Sequence, residues 1–330
     1  MERPYLLFLG DAHDDLAAKS ARGVVEWRPE GCLGQLRLDG CNATLGLPDM
    51  TIGEAVDAGA KTMIVGVANA GGFIPESWVA SIVDALAAGM DVAAGMHDRL
   101  TGVATIAEAA ARHRRQLFDV RHPPQDFSVG TGSKRSGNRL LTVGTDCSCG
   151  KMYAALALER EMRARGMNAE FRATGQSGIF IAGDGVAVDA VVADFISGAV
   201  EWLTPGNDAD HWDLIEGQGS LFHPSYAGVS LGLLHGAQAD ALVLCHEPTR
   251  RHMRGLPERA LPGLAECIDA NVAAARLTNP EVRCIGVAMD TSRLDAAARE
   301  RVLGNAESKL GIPCVDPVAT GVGAIVDALR

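Results

Sequence analysis

The stretch Gly144-Thr145-Asp146-Cys147-Ser148-Cys149-Gly150-Lys151-Met152 constrains this chain more than any other. The apolar run at 139–143 before it reads as a buried strand, and residues 153–165 carry apolar side chains at helical spacing, so the glycines bridge a strand to a helix. That is the setting of a P-loop. Unpaired N–H groups at the helix start face inward, the helix dipole adds positive potential, and the Lys151 ammonium reaches the outer phosphates of a ligand. One position departs from the rule: the Ser or Thr that should follow the lysine and hold Mg²⁺ is Met152. A thioether is a poor ligand for a hard cation that takes oxygen. The loop is therefore equipped to hold phosphates and poorly equipped to organise magnesium.

Composition narrows what such a loop belongs to. At 330 residues, with 47% hydrophobic content and 38 glycines, the chain is long enough for two packed domains joined by many tight turns. No apolar run reaches the roughly 18 residues of a membrane span, and the start Met1-Glu2-Arg3-Pro4 lacks the apolar core of a secretory signal, so a cytoplasmic protein is expected. A formal charge of -11 disfavours nucleic acid, whose backbone wants a basic stripe. Neither a nucleic acid nor a membrane is expected as a partner, and the apolar content points to a homo-oligomer. Of the eight cysteines, Cys32, Cys41, Cys245, Cys267, Cys284 and Cys314 are scattered and read as small buried side chains. Cys147 and Cys149 form a C-x-C inside the loop with no Cys or His pair nearby at metal spacing, so no metal site is expected.

Strand and helix alternate along the chain. The first part has apolar strands at 5–9, 62–67, 90–95 and 118–121, with helices at 51–58, where Thr51 and Glu54 have capping-box spacing, and at 75–88 and 103–117. Two of these strands run into Gly66-Val67-Ala68-Asn69-Ala70-Gly71-Gly72 and His97-Asp98-Arg99. Ligands of open α/β sheets sit beyond the carboxyl ends of strands, which makes Asn69, Gly71, Gly72, His97 and Arg99 candidates for contact with a small anion. The polar, aperiodic segment 123–138 is the best boundary. The expected organisation is a domain at 1–122, a linker at 123–138 and a second domain at 139–330, opened by the P-loop.

In the second domain strands are expected at 169–173, 211–215, 239–245, 282–289 and 312–315, with helices at 189–203, 264–276, 297–303 and 322–329. The first of these strands ends at Thr174-Gly175-Gln176-Ser177-Gly178. The second ends at Glu216-Gly217-Gln218-Gly219-Ser220, where P-loop proteins place an acidic residue for a metal or a nucleophile. The third ends in His246-Glu247-Pro248-Thr249-Arg250-Arg251-His252-Met253-Arg254, a strongly basic loop. The fold class is α/β, with mostly parallel sheets and helices on both faces.

Five residues, not four, separate Gly144 from Gly150. With that spacing the loop resembles that of dethiobiotin synthetase, and Glu216-Gly217-Gln218-Gly219 resembles the acidic glycine-rich segment of the same superfamily. The full loop through Met152, together with Thr174-Gly175-Gln176-Ser177-Gly178 and Glu216-Gly217-Gln218-Gly219-Ser220, resembles more closely the family that includes bacterial D-glutamate N-acetyltransferases. The resemblance covers nearly the whole chain, and the Lys151-Met152 junction is a match to it. It implies an N-terminal Rossmann-like domain followed by a P-loop NTPase-like domain with a doubly wound parallel sheet. It also implies acetyl transfer from acetyl-CoA to the amino group of an amino acid, D-glutamate, in D-amino acid catabolism.

Under that implication Gly144, Thr145, Cys147, Ser148, Cys149, Gly150, Lys151 and Met152 hold the CoA phosphates, and Arg250 and Arg251, with Arg254, meet its remaining phosphate charge. Glu216 and Asp146 are candidates for the base that neutralises the amine, and N–H groups of 217–220 or 175–178 for the thioester oxyanion. Arg172, Gln176 and Ser177, with Asn69, Gly71, Gly72 and Arg99, are candidates for the substrate carboxylates. A thiol at a helix N-terminus is expected to ionise easily, which opens a route through Cys147 or Cys149, although an amine can attack a thioester directly. Two other classes stay open. One is an ATP- and Mg²⁺-dependent ligase of the dethiobiotin synthetase type, using Asp146, Glu216 and Asp213 around the metal; the other is a nucleotide or CoA sensor that binds without reacting.

Overall fold

A computed structural model describes residues 1–69 and 71–329; Ala70, inside the expected turn at 66–72, and Arg330 lie outside the described residues. The first elements are β1 (Tyr5–Gly10), α1 (Lys19–Trp27), β2 (Cys32–Arg37), α2 (Ile52–Asp57), β3 (Thr62–Val65), α3 (Glu76–Ala87), β4 (Asp91–Ala94), α4 (Ala104–His113) and β5 (Leu117–Asp119). There follow β6 (Asn138–Gly144), α5 (Lys151–Ala164), β7 (Ala169–Arg172), α6 (Gln176–Ala182), α7 (Ile196–Leu203), β8 (Trp212–Ile215), α8 (Ala227–Ala237) and β9 (Ala241–His246). The chain ends with β10 (His252–Met253), β11 (Leu256–Ala260), α9 (Leu264–Ala275), β12 (Arg283–Met289), α10 (Ala296–Leu310), β13 (Cys314–Val315) and α11 (Gly323–Asp327). No helix among the described residues is long and apolar enough to cross a membrane.

The chain divides into two compact units, Met1–Pro124 with Gly175–Ala190, and Gln125–Thr174 with Val191–Arg330. The first is built on a parallel sheet in the order β2-β1-β3-β4-β5. Its central strands are apolar on both faces, as a sheet covered by helices on each side requires: every residue of β1 from Tyr5 to Leu9 is fully buried. The capping box at α2 forms as its spacing predicts, with the Thr51 hydroxyl accepting from the Glu54 N–H and the Glu54 carboxylate accepting from the Thr51 N–H. β2 is a strand that its glycine concealed. Gly34 is needed because a Cβ there would lie 2.4 Å from the Met50 sulfur.

The second unit is built on a parallel sheet in the order β13-β12-β9-β6-β8-β7. Connections from β6 lead toward β7 and those from β9 toward β13, so the switch in winding falls between β6 and β9. A ligand crevice belongs there, beyond the strand ends. The helix α8 breaks its own propensity with three glycines, and packing against α7 demands two of them: a Cβ on Gly232 would meet Ile196 at 2.5 Å and one on Gly236 the Ser197 carbonyl at 2.5 Å. The helix expected over 189–203 is shorter, because two 3₁₀ turns precede α7.

Two segments join a different unit from the expected one. Residues 125–138, expected to lie in a linker, are fastened to the second unit. Thr131 and Gly132 donate their N–H groups to Glu201, and Arg135 donates to Thr204, Gln238 and the Gly236 carbonyl. The segment lacks an apolar stripe because hydrogen bonds do much of the holding, with Phe127 packed on the Trp202 ring, centroids 5.5 Å apart. Residues 175–190, expected in the second domain, belong to the first. There α6 buries Ile179, Phe180 and Ile181, its Ile181 carbonyl accepts from Arg3, and the N-terminal ammonium donates to Gly183.

A charged cluster is buried inside the second sheet. Arg139 on β6 lies opposite Asp213 on β8 and is 0% exposed. The Asp213 carboxylate accepts from Arg172 at 2.7 Å and faces His211 at 3.1 Å and Arg139 at 3.9 Å. Burial and the neighbouring Arg139 charge push the Arg135 guanidinium down to about 10. Asp213 is thus the counter-charge of a cationic core and does not stand at the strand ends where a magnesium site would be. Asp213→Ala is expected to destabilise the second unit by about 3–5 kcal/mol, the cost of leaving a buried ion without its partner. The check is a urea titration, in which the midpoint should fall with little change of slope.

Candidate functional site

The loop after β6 forms as a left-handed wrap around the start of α5. Ser148 and Gly150 take φ of +50° and +92°, and Gly150 caps the helix. Gly144 is required by close approach: a Cβ there would stand 2.7 Å from the Cys149 sulfur and 2.9 Å from the Lys151 ammonium. Lys151 is buried and folds back across the loop, its Nζ donating to the Asp146 carbonyl at 2.8 Å. Met152 is half-buried in the first turn of α5.

Asp146 holds this loop together. Fully buried, it accepts from its neighbour Cys147 N–H at 2.7 Å through Oδ1, and from Arg250 Nη1 at 2.7 Å and the Arg254 N–H at 2.8 Å through Oδ2. Arg250 also donates to the carbonyls of Cys147 and Ser148, at 2.6 and 2.9 Å, and the Arg254 guanidinium donates to the Ser148 hydroxyl. The basic loop after β9 therefore clasps the P-loop. Burial acts against the Arg250 charge, but its bond to Asp146 overcomes this and raises its pKa. The expectations for Asp146 and Arg250 are corrected accordingly. With both oxygens committed, Asp146 is a structural tie and not a free base; the Arg250 fork is spent on the loop itself.

Thr145 and Cys149 complete the packing. The Thr145 hydroxyl meets His246 Nδ1 at 3.0 Å, and burial lowers the pKa of that imidazole. The Cys149 thiol donates to the carbonyls of Asp146 and Cys245 at 3.1 and 3.3 Å. Cys147 does not carry the expected easily ionised thiol: burial pushes it up, and the attraction of Lys151 does not reverse this. A helix N-terminus lowers a thiol pKa only where desolvation does not outweigh it.

Beside the loop, at the end of β8, Glu216 is buried. Its Oε2 accepts from the Thr174 N–H at 3.0 Å and its carbonyl from the Thr174 hydroxyl at 2.6 Å. Gln218 reaches the same hydroxyl at 3.3 Å. Gly217 donates to the Thr142 hydroxyl at 2.9 Å, and a Cβ there would lie 1.7 Å from the Thr142 carbonyl and 3.0 Å from the Lys151 stem. Only glycine lets this acidic strand end close against the P-loop lysine.

A cavity of about 710 Å³ opens beside Ser148 and is lined by Arg250, Arg251, Arg254 and Arg293, with His252 and Glu247. Arg251 and Arg293 are exposed and have no hydrogen-bond or ion-pair partner among the described residues. Arg293 follows β12 and was not expected. It is isolated in sequence from the other arginines, and only the adjacency of β9 and β12 brings it to them.

Of the expected substrate residues, Arg172 is corrected. Its guanidinium is taken up by Asp213 at 2.7 Å and Glu170 at 2.8 Å, because both acids lie beside it in the sheet. The others lie in the first unit. Asn69 donates to the Phe73 carbonyl at 2.9 Å, and its Oδ1 is buried with no hydrogen-bond partner among the described residues. Gly71 and Gly72 take φ of +88° and +63°, and a Cβ on Gly72 would lie 2.5 Å from His97. Arg99 is exposed. At the start of α6 the Gln176 amide oxygen accepts from Arg121, a cation the sequence pattern did not single out, and the Ser177 hydroxyl pairs with that of Ser20 at 3.2 Å.

Among the described residues two groups have ligand atoms close enough for a metal ion: Asp146, Cys147 and His223, and Glu170, His211 and Asp213. Each has a guanidinium on its carboxylate, Arg250 on Asp146 and Arg172 on Glu170 and Asp213. The His223 ring is also engaged, with Nδ1 accepting from Ser225 and Nε2 facing the Arg254 carbonyl. A cation already sits where the metal charge would fall.

Fold and site together define a two-domain α/β protein in which a Rossmann-like domain precedes a P-loop domain. Models of both domains match: the domain of unknown function DUF1611_N, Rossmann-like, over residues 36–123, and DUF1611_C, P-loop, over 127–326. The chain belongs to the DUF1611 family. It is 53% identical over 329 residues to a D-glutamate N-acetyltransferase of Tritonibacter scottomollicae, spanning 100% of this chain and 99% of that protein. It is 49% identical over 323 residues to a protein of the same name from a Pseudoalteromonas species, spanning 98% and 97%. The crystal structure of a DUF1611 family protein from Anabaena variabilis is similar at a TM-score of 0.85 and 29% identity, over 99% of each chain.

The raised Cys147 pKa has a direct consequence. At pH 8 less of this thiol is ionised than of an ordinary one, so iodoacetamide should label it several-fold more slowly than a free cysteine peptide, with the rate climbing only as pH rises further. Mass-spectrometric labelling between pH 7 and 10 checks this; labelling already at its plateau at pH 7 would contradict it.

Proposed function

We propose that this protein is an N-acetyltransferase that moves an acetyl group from acetyl-CoA to the amino group of D-glutamate. The observation that carries the proposal is the whole-length similarity to two relatives bearing that name, at 53% and 49% identity. The chemistry of the P-loop unit supports it. Coenzyme A offers a pyrophosphate to a loop rich in inward N–H groups, and Lys151, now bonded to a carbonyl, gains a stronger partner in a phosphate oxygen. Met152 in the magnesium position is no handicap, since acyl transfer from a thioester needs no metal.

In the proposed mechanism Glu216 takes a proton from the substrate ammonium. The freed amine attacks the thioester carbonyl, backbone N–H groups of residues 218–220 stabilise the oxyanion, and collapse breaks the carbon–sulfur bond and releases the CoA thiolate, which takes the second proton shed by the nitrogen. A carboxylate fits the base because it can accept the proton and is held in place by the Thr174 N–H. In the first unit the exposed Arg99 is suited to a carboxylate. A magnesium-dependent ligase is the weaker alternative, since Asp146 and Asp213 are committed to arginines.

The test is thiol release from acetyl-CoA with a panel of D- and L-amino acids. Release should be fastest with D-glutamate and unchanged by EDTA; absence of release with every amino acid overturns the proposal. Glu216→Gln, which keeps the contact to Thr174, should lower kcat by roughly 10²–10⁴-fold with a small change in KM for acetyl-CoA. A full rate in this variant would remove Glu216 as the base.

A further inference from the structure

The cavity beside Ser148 holds more positive charge than the P-loop consumes. Of its four arginines, Arg250 spends its fork on Asp146, Cys147 and Ser148, and the Arg254 guanidinium donates to the Ser148 hydroxyl while its backbone N–H donates to Asp146. Glu247, the acid on the same wall, is itself taken up by Thr249 and Arg250. Arg251 and Arg293 remain as two guanidinium groups with no neutralising partner among the described residues, brought to one cavity by loops that follow neighbouring strands. In a chain whose formal charge is -11, two arginines without a partner among the described residues, facing one space beside the Arg254 charge, form a local site for an anion.

The kind of anion follows from the donors. The cradle of N–H groups suits the pyrophosphate of a cofactor, each phosphate of which is a diester with one charge. Two planar forks suit a phosphomonoester, which carries close to two charges and three acceptor oxygens. Ser148 belongs to both the cradle and the cavity wall, so one ligand can span them. Coenzyme A has both groups: a pyrophosphate and, on the ribose beside it, a 3′-phosphate.

We infer that Arg251 and Arg293 together bind the ribose 3′-phosphate of coenzyme A and so set the preference of this protein for CoA thioesters over ligands that lack it. The inference rests on the acetyl-CoA donor proposed above. It assigns discrimination to Arg293, on the loop after β12, and moves that role away from Arg250, whose task is to brace the P-loop.

Calorimetric titration of the full-length protein with CoA, dephospho-CoA, 3′,5′-ADP and ATP tests it. The wild type should bind CoA more tightly than dephospho-CoA by on the order of ten- to a hundredfold, the range of one or two charge-assisted hydrogen bonds. The double variant Arg251→Ala/Arg293→Ala should bring CoA down to the affinity of dephospho-CoA and leave dephospho-CoA within about twofold of its wild-type value. Lysines at both positions should restore part of the preference, and Arg276→Ala, outside the cavity, should change nothing. Equal binding of CoA and dephospho-CoA by the wild type, or a parallel loss of both in the double variant, or of ATP with CoA, overturns the assignment while leaving the donor intact. Failure of the wild type to bind either CoA species overturns the donor itself, and the assignment with it.

Discussion

The bond between Asp146 and Arg250 is the contact on which the site depends. A fully buried carboxylate is costly unless donors surround it, and here they come from its own loop and from the loop after β9. The pairing fastens two strand ends at the place where the sheet reverses its winding. A P-loop alone is a flexible wrap of glycine and small residues. Clasped by Arg250 and Arg254, it is braced through the Cys147 and Ser148 carbonyls and the Ser148 hydroxyl.

Charge is otherwise sorted by depth. At the middle of the second sheet, Asp213 balances Arg139 and Arg172 and has no route to a ligand at the strand ends. At the strand ends Glu216 is anchored by Thr174 beside the lysine of the P-loop, held close by the bare backbone of Gly217. Farther out, Arg251 and Arg293 carry charge with no internal partner. Positive charge left without a partner at the surface, while the core charges are paired, adds nothing to fold stability and underlies the proposed anion site.

The α/β architecture, the strand that feeds the P-loop, the capping box at Thr51 and the glycine turns were all legible because each depends on residues close in sequence. The family was legible for the same reason, through three short glycine-rich stretches. The elements that escaped are those whose pattern is written in another part of the chain. Gly34 looks like a break until Met50 fills the space above it, and the glycines of α8 look like helix breakers until α7 is seen lying on them. Residues 125–138 lack periodicity because hydrogen bonds and a single aromatic contact, Phe127 on Trp202, hold them to the second unit.

What the sequence by itself determined was the chemistry on offer: an anion-binding loop with methionine in the magnesium position, an acidic strand end and a basic loop. What only the tertiary structure decided was which charges are spent. Asp146, Arg172 and Arg250 all read as functional groups, yet each is neutralised by a partner distant in sequence, and burial raises the Cys147 pKa that local position alone would lower. Arg293, unremarkable in sequence, joins the cavity because β12 lies next to β9. The physical reason is that electrostatic availability is set by the sum of all neighbours and by solvent, and a linear pattern records only the nearest few.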